Sequence, residues 1–190
     1  MRSARTPLAE VVTSSRTVRI PTPTGTYDLR HYPFGEFGKE LRAELVTEIV
    51  DRLSEGVEAL PSAGLIVCPE PGGNQWGVAV GYRTGLDVVI LRQRPAFGEG
   101  EQKIVRRTAF YEGDLYAPPL PAGVPVVVVD DIISSGGTLD AILGHLALRG
   151  VAVSGVQAIL ARGFGFRRVA ARHDVPVRCL VLDEAPDDPR

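Results

Sequence analysis

The sequence predicts a single α/β domain in which a twisted, mainly parallel sheet is flanked by helices. Three strand–loop–helix units indicate this fold, and they are centred on residues 64–83, 126–149 and 152–173. The length of 190 residues suits one domain with a sizeable core. Hydrophobic residues make up 44% of the chain and charged residues 23%, which is ordinary for a globular protein.

The N-terminal part of the chain is predicted to contain an arm, an irregular region and one long helix. Residues 1–20 are polar and basic, which predicts a mobile or surface arm. Residues 21–36 are punctuated by proline and glycine, so an irregular or short β region is expected, with one short strand at Tyr27–Arg30. From Glu36 to about Val57 apolar residues recur four positions apart, which predicts a helix that covers the core.

The first strand–loop–helix unit contains a glycine-rich turn. Residues 64–68 predict a core strand, and a helix is expected from Gln75 to Arg83. The intervening loop either binds an anion through its backbone or serves only as a connection. Its candidate binding residues are Glu70, Gly72, Gly73 and Asn74.

Two arginines follow the next predicted strand. Residues 87–91 form an apolar run, and Arg92 and Arg94 come directly after it. Guanidinium groups at the carboxyl end of a strand suit bidentate contact with phosphate. A solvated basic turn explains the same pattern equally well.

Residues 95–118 show little apolar periodicity. A structureless stretch of this length is unusual inside a compact domain. It is typical of a lid over a functional site.

Residues 126–138 are the most informative stretch. Val126–Val129 predict a strand that is buried on both faces. Asp130 and Asp131 follow, and adjacent carboxylates are costly to desolvate unless cations or hydroxyls meet them. The small residues after them lead into a helix, so backbone N–H groups and the positive helix end predict an anion site, with phosphate as the favoured anion. A turn in which glycine serves packing alone is the alternative. The loop residues are Ser134, Ser135, Gly136, Gly137 and Thr138.

The C-terminal part supplies two more strands. Residues 152–160 predict a buried strand and residues 176–182 a last strand, and the domain is expected to span residues 21–183. Residues 184–190 are predicted to be a polar tail.

Charge and cysteine content exclude several classes of protein. The net charge of −2 provides no basic field for binding nucleic acid. Cys68 and Cys179 lie in apolar runs, which favours buried free thiols over a disulfide framework. No apolar stretch approaches a membrane span and no secretory signal is recognisable, so a cytoplasmic location is expected.

The run from Val126 to Thr138 resembles the phosphoribosyl pyrophosphate motif of the type I phosphoribosyltransferases. The resemblance implies that Asp130 and Asp131 hold the ribose hydroxyls and that Ser134–Thr138 wrap the 5′-phosphate. It also implies Mg²⁺ as the cofactor, bridging ribose and pyrophosphate, with the two aspartates as candidate ligands. In that family the position of residues 95–118 is a flexible hood that closes over the reaction.

The resemblance covers roughly residues 40–183 and is strongest to small purine enzymes of the archaeal hypoxanthine/guanine type and their adenine relatives. It implies that residues 70–74, together with Arg92 and Arg94, hold the pyrophosphate. Glu112 is implied as a hood residue that approaches the site, although an exposed hairpin charge is an equal alternative. The residues implied for the base are Arg162, Phe164, Phe166 and Ile132.

The resemblance therefore implies an enzyme that joins a purine-like base to phosphoribosyl pyrophosphate, in purine salvage or a modified-nucleotide pathway. Hypoxanthine, guanine, adenine, xanthine and modified purines are all left open as the base. Members of the family are commonly dimers, so a homodimer is expected. The alternative is a non-catalytic regulator on the same fold that senses phosphoribosyl pyrophosphate or a nucleotide.

Overall fold

The computed structural model describes residues 6–22, 25–35, 40–107 and 112–184. These residues contain five helices and nine strands. The helices are α1 (Pro7–Ser14), α2 (Ala43–Glu58), α3 (Gly73–Thr84), α4 (Gly137–Leu148) and α5 (Gly165–His173). The strands are β1 (Thr17–Thr22), β2 (Gly25–Arg30), β3 (Leu65–Pro69), β4 (Asp87–Leu91), β5 (Gln102–Arg107), β6 (Glu112–Ala117), β7 (Val126–Ile133), β8 (Val153–Arg162) and β9 (Val177–Asp183).

A five-stranded sheet in the order β4-β3-β7-β8-β9 forms the centre of the fold. Every neighbouring pair in it is parallel. Strands β1 and β2 form one antiparallel pair, and β5 and β6 form another. The predicted α/β class with a parallel sheet is confirmed.

Strand β7 lies at the middle of the sheet because both of its faces are apolar. Val126 and Val128 pack into a cluster with α4, α5 and the β5–β6 hairpin. Val127 and Val129 pack into a second cluster with α1, α2 and α3. All four valines are buried, as expected for a parallel strand covered on both sides.

The prediction of an arm over residues 1–20 is wrong for residues 7–14, which form α1. Leu8 and Val12 lie one turn apart and are buried against α2. The Thr6 hydroxyl accepts from the Ala9 N–H, and the Leu8 N–H donates to the Glu48 carboxylate at 2.8 Å. A capping threonine and an apolar pair at helical spacing outweigh the basic composition of this segment.

The prediction that residues 95–118 lack regular structure is also wrong. The β5–β6 hairpin pairs from Gln102 with Ala117 to Arg107 with Glu112. Ile104 and Leu115 are buried in the core while Val105 is exposed, which is the alternation of a strand with one buried face. Residues 108–111 lie outside the described residues, and the flexibility of the hood stays a prediction.

Helix α2 begins at Ala43, later than the predicted Glu36, because its buried stripe starts only at Leu45. Residues 36–39 lie outside the described residues. Cys68 and Cys179 are free, as predicted. No helix in the described part of the chain is long and apolar enough to cross a bilayer.

Candidate active site

The predicted site residues converge on one edge of the sheet. Strands β3, β4, β7 and β8 run parallel, so their carboxyl ends lie at the same edge. The segments that follow them are residues 70–74, 92–94, 134–138 and 163–166. Ligands of open α/β sheets bind at this edge.

The acidic pair lies in the last half of β7 and is almost fully buried. Asp130 is 6% exposed and Asp131 is 9% exposed. The Asp131 N–H donates to Asp130 Oδ1 at 2.9 Å, and the Ile132 N–H donates to Asp131 Oδ1 at 2.7 Å. Burial, followed by the charge of Asp131, raises the pKa of Asp130 well above its ordinary value, while the positive charge of Arg106 opposes the shift. The pair is therefore a site of concentrated negative charge that a cation or hydroxyl donors would relieve.

The loop of residues 70–74 lies directly on this acidic pair. A Cβ added to Gly72 would overlap the Asp131 carboxylate. A Cβ added to Gly73 would lie 2.7 Å from Asp130 Oδ1. Only glycine permits this approach, so the loop backbone and the carboxylates form one site.

The Glu70 side chain fixes the loop to strand β4. Its carboxylate accepts from the Gln93 N–H at 2.8 Å, and its own N–H donates to the Leu91 carbonyl at 2.8 Å. Any ligand contact from this segment is thereby left to backbone groups and to Asn74. The Asn74 side-chain oxygen is buried and has no hydrogen-bond partner among the described residues.

Arg92 and Arg94 lie where the hairpin joins the edge of the sheet. The Arg92 N–H donates to the Tyr116 carbonyl at 3.0 Å, and the Tyr116 N–H donates to the Arg92 carbonyl at 2.7 Å. Both arginine residues are exposed. The junction therefore presents two cationic side chains to solvent beside the loop of residues 70–74.

Residues 134–138, here called the phosphate loop, connect β7 to α4. Gly136 has φ of +83°, a conformation that favours glycine, and α4 begins at the next residue. A cavity of about 220 Å³ lies against the loop, so the predicted anion site is open. The cavity is lined by Ser135, Gly136, Gly137, Asp140, Arg168, Val169 and Arg172.

Arg162 ends β8 and is 9% exposed, close to a polar cluster that the sequence did not reveal. The Tyr32 hydroxyl donates to Asp183 Oδ2 at 2.5 Å, and Arg30 Nη1 donates to the same oxygen at 2.8 Å. Burial, followed by the hydrogen bond to Asp183, raises the pKa of Tyr32, and the positive charges of Arg30 and Arg162 oppose the shift. The cluster joins the N-terminal segment to the end of β9.

The segment that carries Tyr32 covers one side of the site. The Tyr32 and Phe34 rings stack with centroids 5.3 Å apart, and the Phe34 carbonyl accepts from Trp76 Nε1 at 2.9 Å. A Cβ added to Gly35 would lie 3.0 Å from Ile132 Cδ1. Ile132 and this segment are thus neighbours. No periodic pattern in residues 21–36 pointed to this role.

The two predicted aromatic residues lie elsewhere at this edge. Phe164 is 47% exposed, and Phe166 packs against the core cluster on the α4 side of the sheet. The Arg167 guanidinium lies 4.7 Å from the Phe164 ring centroid and 5.6 Å from that of Phe166. Ile132 packs on the opposite side, so the four residues predicted for the base do not form a single cluster.

The hairpin contributes Arg106, which the sequence did not single out. This residue is 6% exposed, and its Nε donates to the Gly113 carbonyl at 3.0 Å. Glu112 is the first residue of β6, but its side chain is not among the described parts of the structure. Its proposed approach to the site stays a prediction.

The chain is similar to known proteins both in sequence and in fold. Residues 41–174 match the phosphoribosyl transferase domain family. The chain is 33% identical over 159 residues to the hypoxanthine/guanine phosphoribosyltransferase of Methanobacterium paludis, a match covering 83% of this chain and 82% of that protein. The enzyme of the same name from Methanosarcina mazei is also 33% identical over 159 residues, covering 84% of this chain and 83% of that protein.

Solved structures of adenine phosphoribosyltransferases share the fold. That of Thermoanaerobacter pseudethanolicus superposes with a TM-score of 0.73 at 20% identity and covers 92% of this chain and 99% of its own. That of Trypanosoma brucei, in complex with AMP, pyrophosphate and ribose-5-phosphate, has a TM-score of 0.73 at 18% identity. It covers 98% of this chain and 84% of its own.

Proposed function

This chain belongs to the purine-type phosphoribosyltransferase family, and we propose that it joins a 6-oxopurine, hypoxanthine or guanine, to 5-phosphoribosyl 1-pyrophosphate. The products are a nucleoside 5′-monophosphate and pyrophosphate. One observation carries the proposal: the buried pair Asp130 and Asp131 lies beneath Gly72 and Gly73 on the strand that leads into the phosphate loop. The alternative is a non-catalytic regulator that senses phosphoribosyl pyrophosphate or a nucleotide. The relatives do not support it, because they are named as enzymes.

The proposed reaction requires management of charge. The bond from C1 of the ribose to the pyrophosphate oxygen breaks, and a bond from C1 to a ring nitrogen of the base forms. Pyrophosphate leaves with the electron pair, and the base nitrogen releases its proton. Positive charge develops on the ribose ring in the transition state, and the carboxylates of Asp130 and Asp131 are suited to hold the ribose hydroxyls close to it.

Backbone groups are proposed to hold both phosphate-bearing ends of the substrate. The phosphate loop and the first turn of α4 supply N–H groups and the positive helix end for the 5′-phosphate. Residues 70–74 supply backbone groups for the pyrophosphate, with Arg92 and Arg94 as nearby cations. The acidic pair lies between these loops, where the ribose would lie.

The acidic pair also fits Mg²⁺, which prefers oxygen ligands and is commonly held by one or two carboxylates together with substrate phosphates. Burial of Asp130 beside a second carboxylate makes a cation favourable at this point. Among the described residues no group of three or more His, Cys, Asp or Glu side chains could hold a metal. We therefore propose that Asp130 and Asp131 act together with substrate oxygens, and that the bound ion would neutralise charge on pyrophosphate.

The choice of a 6-oxopurine is proposed from the chemistry of Arg162. Its guanidinium has only donors, and it is buried at the end of β8. A buried donor favours the carbonyl oxygen of hypoxanthine or guanine over the amino group of adenine, because two donors cannot satisfy one another. Ile132 would supply apolar contact from β7.

A turnover screen tests the proposal. The protein is incubated with phosphoribosyl pyrophosphate, Mg²⁺ and one base at a time, and pyrophosphate and nucleotide are both quantified. We expect kcat/KM for hypoxanthine or guanine, which give IMP or GMP, to be at least about tenfold above kcat/KM for adenine, which gives AMP. This is the preference expected from one buried donor. AMP as the main product would overturn the choice of base. Tight binding of phosphoribosyl pyrophosphate with no turnover on any base would favour the sensor.

A further inference from the structure

Helix α5 begins directly against the phosphate loop. We propose that Arg168 in this helix is a positioning residue for the 5′-phosphate, an inference that rests on the proposed function. Arg168 Nη2 donates to the carbonyl oxygen of Ser135 at 2.9 Å. The contact joins residues 33 positions apart in the chain, so it depends on the tertiary fold.

A glycine allows α5 to approach so closely. A Cβ added to Gly165 would lie 2.6 Å from the carbonyl carbon and from the oxygen of Ser135, and it would overlap the carbonyl oxygen of Ser134. The first turn of α5 therefore lies on the carbonyl side of two successive peptide groups of the loop. A Cβ on Gly136 would in turn lie 2.7 Å from Val169 Cγ2 of the same helix.

The packing of α5 against the loop determines where the backbone N–H groups of the loop point. The peptide bonds of the loop are trans, and in a planar trans peptide the C=O and N–H groups point in opposite directions. Because the carbonyl groups of Ser134 and Ser135 face α5, the N–H groups of Ser135 and Gly136 are directed away from it. They are then available to a phosphate, together with the N–H groups of Thr138 and Leu139 in the first turn of α4, while the Gly137 N–H donates to Ser135 Oγ at 3.4 Å.

The phosphate loop would be conformationally adaptable without a fixed contact to its carbonyl groups. The loop contains Gly136 and Gly137, and glycine samples many backbone conformations at little cost. The hydrogen bond from Arg168 selects the orientation in which the donors face the ligand, before the ligand binds. Preorganisation of this kind improves affinity by removing an ordering cost.

A second set of contacts ties α5 to the first turn of α4. Arg172 Nη1 lies 2.9 Å from Asp140 Oδ2, and His173 Nε2 lies 2.8 Å from Asp140 Oδ1. The contacts hold a carboxylate that would otherwise repel a phosphate at the same helix end. Arg168 and Arg172 both line the cavity beside the loop.

Steady-state kinetics of Arg168→Ala test the inference. We expect the KM for phosphoribosyl pyrophosphate to rise about tenfold, which corresponds to one hydrogen bond of a charged donor. The kcat and the KM for the base should each change by less than about twofold, a small fraction of that effect. Arg168→Lys should recover part of the lost affinity, because lysine retains a donor. Arg149→Ala, at the exposed end of α4, is the matched control and should behave like the wild type.

Two further measurements separate positioning from simple attraction of charge. Gly165→Ala leaves the charge unchanged, yet it should also raise the KM for phosphoribosyl pyrophosphate, because the loop must move away from α5. The KM ratio of Arg168→Ala to wild type should stay constant as KCl rises from about 0.05 to about 0.5 M, a range over which exposed charges become screened. A ratio that falls to about one at high salt would overturn the positioning role.

Calorimetric binding makes the inference separable from the proposed function. Arg168→Ala should weaken the binding of ribose 5-phosphate about tenfold and leave the binding of inorganic pyrophosphate unchanged. A wild-type protein without turnover that still shows this pattern would refute the proposed function and retain the positioning role. An active wild type whose Arg168→Ala variant binds ribose 5-phosphate normally would refute the positioning role alone.

Discussion

Replacing Asp131 with asparagine should stabilise the protein while it impairs turnover. The substitution keeps the shape of the side chain and the oxygen that accepts from the Ile132 N–H at 2.7 Å. It removes one of two adjacent buried charges, and the charge of Asp131 is a major reason for the raised pKa of Asp130. The two buried like charges destabilise the fold but are needed for activity, so removing one is expected to raise stability and lower activity.

The size of the stabilisation follows from Coulomb's law. Two like charges about 4 Å apart repel by about 4 kcal/mol at an effective dielectric constant of about 20. Proton uptake by Asp130 relieves part of this repulsion, so we expect a gain of about 1–2 kcal/mol at pH 8, below that ceiling. For a chain of this size the melting temperature should rise by about 4 °C.

The stability gained by Asp131→Asn should increase with pH. Because the pKa of Asp130 is raised in the folded state, the folded protein binds this proton more tightly than the unfolded chain. Below the ordinary pKa of about 3.9, Asp130 is protonated in both states and the wild type has no repulsion between the two carboxylates. As the pH rises through the folded-state pKa of Asp130, the wild type loses stability. The difference in melting temperature between Asp131→Asn and wild type should be largest at pH 8 and vanish near pH 4.

Thermal melts from pH 4 to pH 8 and pyrophosphate-release kinetics check the two effects together. We expect kcat/KM to fall about 10- to 100-fold, the loss expected for one charged hydrogen bond. Asp174→Asn is the control, because Asp174 is exposed and asparagine tolerates its left-handed backbone. A variant with normal turnover, or one destabilised at every pH, would refute the reasoning.

Three further changes probe the base end, the loop on the acidic pair and the N-terminal segment. Arg162→Ala should lower kcat/KM for hypoxanthine about 100-fold, as expected when a buried polar partner is lost, with little change in the KM for phosphoribosyl pyrophosphate. Gly73→Ala should cost about 1–3 kcal/mol in urea unfolding, because its Cβ would lie 2.7 Å from Asp130 Oδ1. Tyr32→Phe should cost about 1–2 kcal/mol in the same assay, because Asp183 loses a hydrogen bond.

The first two of these changes have a control variant, and each of the three has an outcome that would contradict it. Arg162→Lys should keep part of the activity on hypoxanthine that Arg162→Ala loses. Equal losses on every base would argue against a role of Arg162 in base choice. Gly98→Ala meets nothing within 4 Å and should leave stability unchanged. Unaltered stability of Gly73→Ala would mean that the loop does not lie on the acidic pair. If Tyr32→Phe were as stable as the wild type in urea, the hydrogen bond from the Tyr32 hydroxyl to Asp183 would not stabilise the end of β9.

The central motif was predictable because several local signals agree. A β-branched run, an acidic pair and a loop of small residues before a helical pattern all favour one strand–loop–helix unit. The structure has this unit as β7, the phosphate loop and α4. Each parallel strand is buried on both faces, so its apolar run is visible in the sequence without knowledge of its neighbours.

The features that the sequence did not reveal depend on distant contacts. Tyr32 lies in an aperiodic segment, and its hydrogen bond to Asp183 spans 151 positions. Arg168 belongs to a run of charged residues on α5, and only the approach of Gly165 to the phosphate loop gives it a partner. Arg106 was hidden in a stretch whose short two-residue alternation is weaker than the signal of a central strand.

The central claim is that the phosphate loop binds a sugar phosphate above the acidic pair. The most direct measurement is the amide nuclear magnetic resonance spectrum of the ¹⁵N-labelled protein, titrated with ribose 5-phosphate and separately with ribose. We expect the amide signals of Gly136 and Gly137 to shift with ribose 5-phosphate and to stay unchanged with ribose. Unchanged Gly136 and Gly137 signals at saturating ribose 5-phosphate would contradict the account.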